Sequence, residues 1–160
     1  MRKPQGVVVR LVRLAHAHDL DAPGYQSAGA AGLDLACALG ASEKIVIEPG
    51  ARMIVPTGFR MELPCGYEAQ VRPRSGLAAN HGVTVLNTPG TIDSDYRGEI
   101  KVILYNAGDE PFRLKRGMRI AQLVVAPIVQ VGLELVERLS DTTRADGGFG
   151  STGTNLPHAP

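Results

Sequence analysis

A chain of 160 residues with a formal net charge of +1 is long enough to bury one core, and it carries no basic surplus of the kind that holds nucleic acid or anionic membrane. Any anion it binds must therefore meet locally placed cations. No apolar run reaches transmembrane length, and Met1-Arg2-Lys3-Pro4 lacks the apolar stretch of a signal peptide, so a cytoplasmic protein without membrane or nucleic-acid partners is expected.

In chain order, the valines and leucines of residues 7–14 read as a first strand. His16 and His18 follow, two apart, and on a strand they would share a face; only Asp19 stands near them, which is too little for a metal site. Cys37 and Cys65 lie in unlike contexts and are expected to be free, partly buried thiols in a reducing compartment. Strands are predicted over 45–47, 52–55 and 67–71, separated by Pro49-Gly50, Thr57-Gly58 and Pro64-Cys65-Gly66, each with turn chemistry. A short helical turn begins near Ser75, whose hydroxyl is a good cap, and runs through Leu77-Ala78-Ala79. Further strands are predicted over 83–86, 100–105, 120–129 and 133–136. Many short strands with one helical turn predict an all-β fold, a sandwich or jelly roll. The last dozen or so residues, rich in Gly, Ser, Thr and Pro, predict a mobile C-terminal tail.

Between the strands at 83–86 and 100–105 lies Asn87-Thr88-Pro89-Gly90-Thr91-Ile92-Asp93-Ser94-Asp95-Tyr96-Arg97-Gly98-Glu99. Pro89-Gly90 reads as a turn, and the segment as a ligand-holding hairpin carrying two acids and an aromatic. Arg74, Arg119 and Arg144 sit within glycine-rich or turn-adjacent strings, where a guanidinium fork can meet phosphate oxygens. In the tail, Gly148-Phe149-Gly150-Ser151-Thr152-Gly153 fits the G-x-G-x-x-G pattern of dinucleotide-binding folds, but no strand-to-helix unit surrounds it. Its glycine amides, the Ser151 and Thr152 hydroxyls and Arg144 can surround a phosphate, and Phe149 offers a flat face for stacking.

Five strings in order, Ala31-Gly32-Leu33-Asp34-Leu35, Pro73-Arg74-Ser75-Gly76-Leu77-Ala78, the 87–99 segment, Arg119-Ile120-Ala121-Gln122-Leu123 and Arg144 to Gly153, resemble the five motifs of the trimeric dUTPases. That resemblance spans residues 31–153 and implies a jelly-roll domain over 1–143 with a flexible glycine-rich lid and tail over 144–160. It implies hydrolysis of dUTP to dUMP and pyrophosphate, which keeps uracil out of DNA and supplies dUMP for thymidylate synthesis. It implies Mg2+ as cofactor, and a homotrimer whose active sites are shared between subunits.

Residue by residue, Asp93 matches the acid that activates the attacking water, with Asp95 as its rival two positions on. Asn87 matches the uracil-reading amide, Gly90, Thr91 and Ile92 substrate contacts along the same hairpin backbone, and Tyr96 the wall against a 2′-hydroxyl. Arg74, Ser75 and Gly76 match the phosphate contacts, with Ser75 donating to the oxygen that bridges the α- and β-phosphates. Gln122 matches a phosphate contact, and Asp34 a residue reaching the metal through water while the substrate phosphates hold Mg2+. Arg144, Phe149, Gly150, Ser151 and Thr152 match the lid, with Phe149 over the uracil. The chain departs from the family at Ala145, where glycine is usual, and at the acidic Asp146 after it. Two other readings stay open: a dCTP deaminase or bifunctional deaminase-diphosphatase on the same fold, which ammonia release from dCTP would reveal, and a non-catalytic nucleotide sensor or structural jelly roll.

Overall fold

A computed structural model describes residues 6–149 and 151. Their contacts divide the chain into two units, Met1–Gln130 and Val131–Pro160. The first unit is a β sandwich of the jelly-roll kind. It holds β1 (Arg10–Arg13), a 3-10 turn (Ala15–Ala17), β2 (Leu33–Ala36), β3 (Ile45–Ile47), β4 (Arg52–Glu62) and β5 (Tyr67–Arg72). Then come α1 (Ser75–His81), β6 (Val83–Val85), β7 (Gly90–Ile92), β8 (Glu99–Asn106), β9 (Phe112–Leu114) and β10 (Arg119–Pro127).

Two four-stranded sheets, ordered β1-β4-β8-β6 and β2-β10-β5-β7, face each other, and β3 pairs with β9 in a smaller third sheet. The pairing is antiparallel throughout. Period-two alternation aims Ile100, Val102 and Leu104 of β8 inward, where they meet Val55, Val83 and Val85 of their own sheet and Leu35, Val71 and Leu123 of the other. Asn106 is fully buried and satisfied: its amide donates to Ile47 O at 2.9 Å and Glu110 O at 2.8 Å, and its Oδ1 accepts from Gly108 N at 3.0 Å. One side chain thereby ties the small sheet to the sandwich.

Several expectations require correction. Thr57-Gly58 is no turn but a bulge inside the long strand β4. Pro56 opposes Lys101 and Arg60 opposes Glu99, so β4 carries extra residues between two ladder positions. Proline has no N–H to give, and the buried Thr57 hydroxyl donates instead to Ile100 O at 2.6 Å. Gly58 takes φ +78 and lies so near the 3-10 turn that a Cβ there would stand 2.1 Å from the Ala17 Cβ. His16 and His18 sit in and just after that turn rather than on a strand. Cys37 is fully buried, but Cys65 is exposed, and both are free.

β6 and β8 do pair, as the flanking strands of a hairpin should. The chain between them makes no tight tip, however. It crosses to the opposite sheet and adds β7 to the edge of β5, with Thr91 opposite Gln70 and Ile92 opposite Ala69. In the second unit, 133–136 forms no strand, and Leu133 and Leu135 are almost wholly exposed. Their alternation is strand-like, but with no ladder partner for residues 133–136 among the described residues the pattern pairs with nothing.

Candidate active site

The motif residues of the first unit gather into two groups. The first is centred on Asp34, which β2 sets next to Gln122 of β10. Asp34 is only 6% exposed, and a carboxylate at that depth needs partners. Oδ2 accepts from Arg119 Nη1 at 2.8 Å, Oδ1 accepts from Gln122 Nε2 at 3.1 Å, and Arg74 Nε lies 3.7 Å from Oδ1. Arg74 also donates to the Arg119 carbonyl at 3.0 Å, and Arg119 to Gln26 Oε1 at 3.1 Å. Gly32 lets the Gln122 side chain lie flat, since a Cβ there would come within 3.2 Å of the Gln122 Cβ. Two guanidinium groups thus face one carboxylate, leaving a local surplus of positive charge suited to phosphate.

Ser75 and Gly76 open α1 beside this cluster. Arg74 occupies the cap position and no side chain caps the helix, so Ser75 is not the cap the sequence suggested. Ser75 is exposed, and no side-chain hydrogen bond engages its hydroxyl among the described residues.

The second group lies at the end of β7. Asp93 and Tyr96, with Thr91, Glu99 and Lys101, line a 240 Å³ cleft. The Asp93 carboxylate is exposed, and among the described residues no side chain hydrogen-bonds it. Its backbone carbonyl accepts from Tyr96 N at 3.1 Å, closing a turn that presents both side chains. The Tyr96 hydroxyl donates to the Glu99 carbonyl at 3.0 Å, with the ring lying over Gly98. Asn87 is exposed and its amide rests on Gly90, where a Cβ would approach Nδ2 to 3.0 Å. Asp95, the rival acid, is exposed as well.

No side-chain hydrogen bond or ion pair among the described residues joins the two groups. Register keeps them apart. Gln122 is aligned with Asp34 on one side and Arg72 on the other, whereas β7 lies on the far side of β5 and runs away from Arg72.

In the second unit Arg144 Nε donates to Gly147 O at 2.9 Å, closing a turn in which Ala145 takes φ 45. Phe149 is fully exposed at φ 46, and Ser151 N donates to Gly148 O at 3.0 Å. Gly150 and Thr152 lie outside the described residues.

The described residues contain no cluster of three or more metal-ligating side chains. Asp34, with Arg119 and Gln122 on its two oxygens, does not suit direct coordination. This donor set fits a magnesium ion held by phosphate and water, with protein contact only through water. Gln26, which accepts from Arg119, and Glu99, which lines the Asp93 cleft, are not signalled by the sequence. Gln26 lies outside every motif string, and Glu99 was only the end of one.

Comparison with known proteins bears on the family and the fold. The sequence model of the dUTPase family matches residues 18–153. Over 151 residues the chain is 66% identical to the deoxyuridine 5′-triphosphate nucleotidohydrolase of Beijerinckia indica, covering 94% of this chain and 93% of the relative. It is 57% identical to the protein of that name from Rhizobium rhizogenes, covering 91% and 93%. Among solved structures, the Staphylococcus bacteriophage 80alpha dUTPase with dUpNHpp superposes with a TM-score of 0.78 at 26% identity, covering 92% of this chain and 99% of that one. A fold, an ordered set of motif residues and a match over most of the length converge, and the chain belongs to the dUTPase family.

Proposed function

We propose that this protein is a dUTP diphosphatase that cleaves dUTP to dUMP and pyrophosphate by attack of an Asp93-activated water on the α-phosphorus. The observation that carries the reading is the pairing of two unlike groups: an arginine cluster with surplus positive charge, and an exposed, uncommitted carboxylate beside an aromatic wall. Phosphoryl transfer asks for little else, namely a positioned water and cations on the charge that develops. Arg74, Arg119 and Gln122 hold the phosphates while Asp34 keeps the guanidinium groups aimed. Ser75 donates to the bridging oxygen as the bond to the leaving pyrophosphate lengthens, and Gly76 leaves its amide open to a phosphate oxygen.

Asn87 reads the uracil edge beside the Gly90-Thr91-Ile92 strand, and Tyr96 packs on the deoxyribose. Arg144, Phe149, Gly150, Ser151 and Thr152 form the lid, which residues 144–160 carry over bound substrate. Mg2+ bound to the triphosphate neutralises charge and orients its oxygens. Because the two groups lie far apart on one chain, a complete site takes Asp93 from one subunit and the arginine cluster from another within a homotrimer. The exposed alternation of Val129, Val131, Leu133 and Leu135 supports that assembly, since such an arm gains most by pairing with a neighbour. In the cytoplasm this activity removes dUTP from the DNA precursor pool and yields dUMP for thymidylate synthesis.

The test is pyrophosphate release from dUTP, dTTP, dCTP and UTP with magnesium present, together with Asp93→Asn. Selective release from dUTP is expected. The variant should bind dUTP nearly normally and lose roughly a hundredfold or more in turnover, as for a lost general base. Wild-type turnover in Asp93→Asn would transfer the role to Asp95. Ammonia from dCTP would overturn the assignment.

A further inference from the structure

The chain returns from the active-site loop to β8 at Glu99, where three segments remote in sequence meet on one carboxylate oxygen. Glu99 Oε1 accepts from Gly58 N at 2.9 Å and lies 2.8 Å from His16 Nε2, with the side chain only 14% exposed. Gly58 belongs to the β4 bulge and His16 to the 3-10 turn packed against it. The backbone ladder is interrupted here, because the bulge separates the Pro56–Lys101 and Arg60–Glu99 positions and Pro56 has no donor. A side chain therefore supplies the link that the ladder lacks.

On its backbone side the same residue holds Tyr96, whose hydroxyl donates to the Glu99 carbonyl at 3.0 Å. The ring lies over Gly98, where a Cβ would stand 2.2 Å from the Tyr96 Oη. Arg97 Nη1 fixes the rest of the turn, donating to Ser94 O at 2.7 Å and to Tyr96 O at 2.9 Å. The loop is thus internally bonded, and its placement depends on β7 at one end and Glu99 at the other.

We propose that Glu99 is a positioning residue for sugar selection: its carboxylate, anchored by Gly58 and His16, fixes the carbonyl on which Tyr96 docks. It thereby sets the clearance between the Tyr96 ring and the 2′ position of a bound nucleotide. The inference rests on Tyr96 acting as the wall against the 2′-hydroxyl. Glu99 touches no reacting atom, so its signature is a change in discrimination rather than in chemistry.

Steady-state rates on dUTP and UTP, with thermal unfolding as a control, test this in Glu99→Ala, Glu99→Gln, His16→Ala, Tyr96→Phe and Tyr96→Ala. Glu99→Ala should raise the UTP to dUTP ratio of kcat/KM by about tenfold, mostly through KM. Glu99→Gln keeps an acceptor for Gly58 and should recover most of the discrimination. His16→Ala and Tyr96→Phe, each removing one bond of the chain, should shift the ratio by about threefold. A relaxed ratio in Tyr96→Ala with an unchanged ratio in Glu99→Ala overturns the proposal while sparing the reading of Tyr96. An unchanged ratio in Tyr96→Ala overturns that reading and the proposal with it. A uniform loss of activity on both nucleotides in Glu99→Ala marks a merely structural role and also overturns it. If Glu99→Ala fails to fold, the exposed His16→Ala decides, and an unchanged ratio there has the same force.

Discussion

Two inactive variants of this protein should make an active one. Under the proposed mechanism Arg74→Ala removes a phosphate cation and Asp93→Asn removes the base, and each alone should be nearly inactive. The separation follows from sheet register. Asp34, Gln122 and Arg72 stand in line across β2, β10 and β5, while Ile92 of β7 lies opposite Ala69. Asp93 is one residue further on. At about 3.3 Å per residue and about 4.8 Å per strand, Asp93 is about 13 Å along and about 14 Å across from Asp34, or roughly 19 Å away. A base works through a direct hydrogen bond or one water, so a separation of this size favours the two groups meeting one phosphorus from different chains. In a closed ring where each site takes Arg74 from one chain and Asp93 from the next, equal mixing leaves about a quarter of sites intact. The assay is pyrophosphate release from dUTP after joint unfolding and refolding, with each variant refolded alone as control. Recovery near a quarter of wild-type activity is expected. No recovery, with mixed assemblies demonstrated by differently tagged chains, would refute the shared site.

Gly58→Ala should destabilise strongly: the left-handed φ costs about 1–2 kcal/mol and the collision with Ala17 about 1–3 more, so denaturant unfolding at fixed protein concentration should show a loss of about 2–5 kcal/mol. Hydrogen bonding from the Arg116 side chain holds the Asp19 carboxyl at about 2, below its ordinary 3.8. A lowered acid pKa stabilises above the unfolded value, so this contribution is whole above about pH 4 and fades as pH falls through about 2. The difference in Tm between wild type and Asp19→Asn should close over that window, and a constant difference would exclude the linkage. Ala145→Gly relieves a left-handed alanine worth about 1 kcal/mol when the turn is ordered on substrate, so the KM for dUTP should fall by up to about fivefold; a KM unchanged or raised counts against a role in closure.

What the sequence disclosed was governed by range. The third strand, 45–47, is bounded by its own apolar run and the following Pro-Gly, and it appears where expected. Thr57-Gly58 carries the same local turn chemistry yet lies within β4, because whether a ladder continues is decided by Lys101 and Glu99 more than forty residues on. β2, β7 and β9, of three or four residues each, fall outside the strands the sequence predicts, being too short for their alternation to stand out. At the site, Asp34 and Gln122 were named from their strings, but that Asp34 is buried beneath two arginines depends on the pairing of β2 with β10. Glu99 was hidden for the same reason: its partners are 41 and 83 residues away. Leu133 to Val136 show the converse, a strand pattern with no partner among the described residues.

The unequal cysteines make the protein its own folding reporter. Thiol-directed dyes react with thiolate, and burial pushes the Cys37 thiol up while also denying access, whereas Cys65 stands exposed in the turn between β4 and β5. Untouched native protein should therefore take one dye per chain, at Cys65. A second equivalent enters only when the sandwich opens around Cys37, so its rate of incorporation times the opening of the core without any engineered probe.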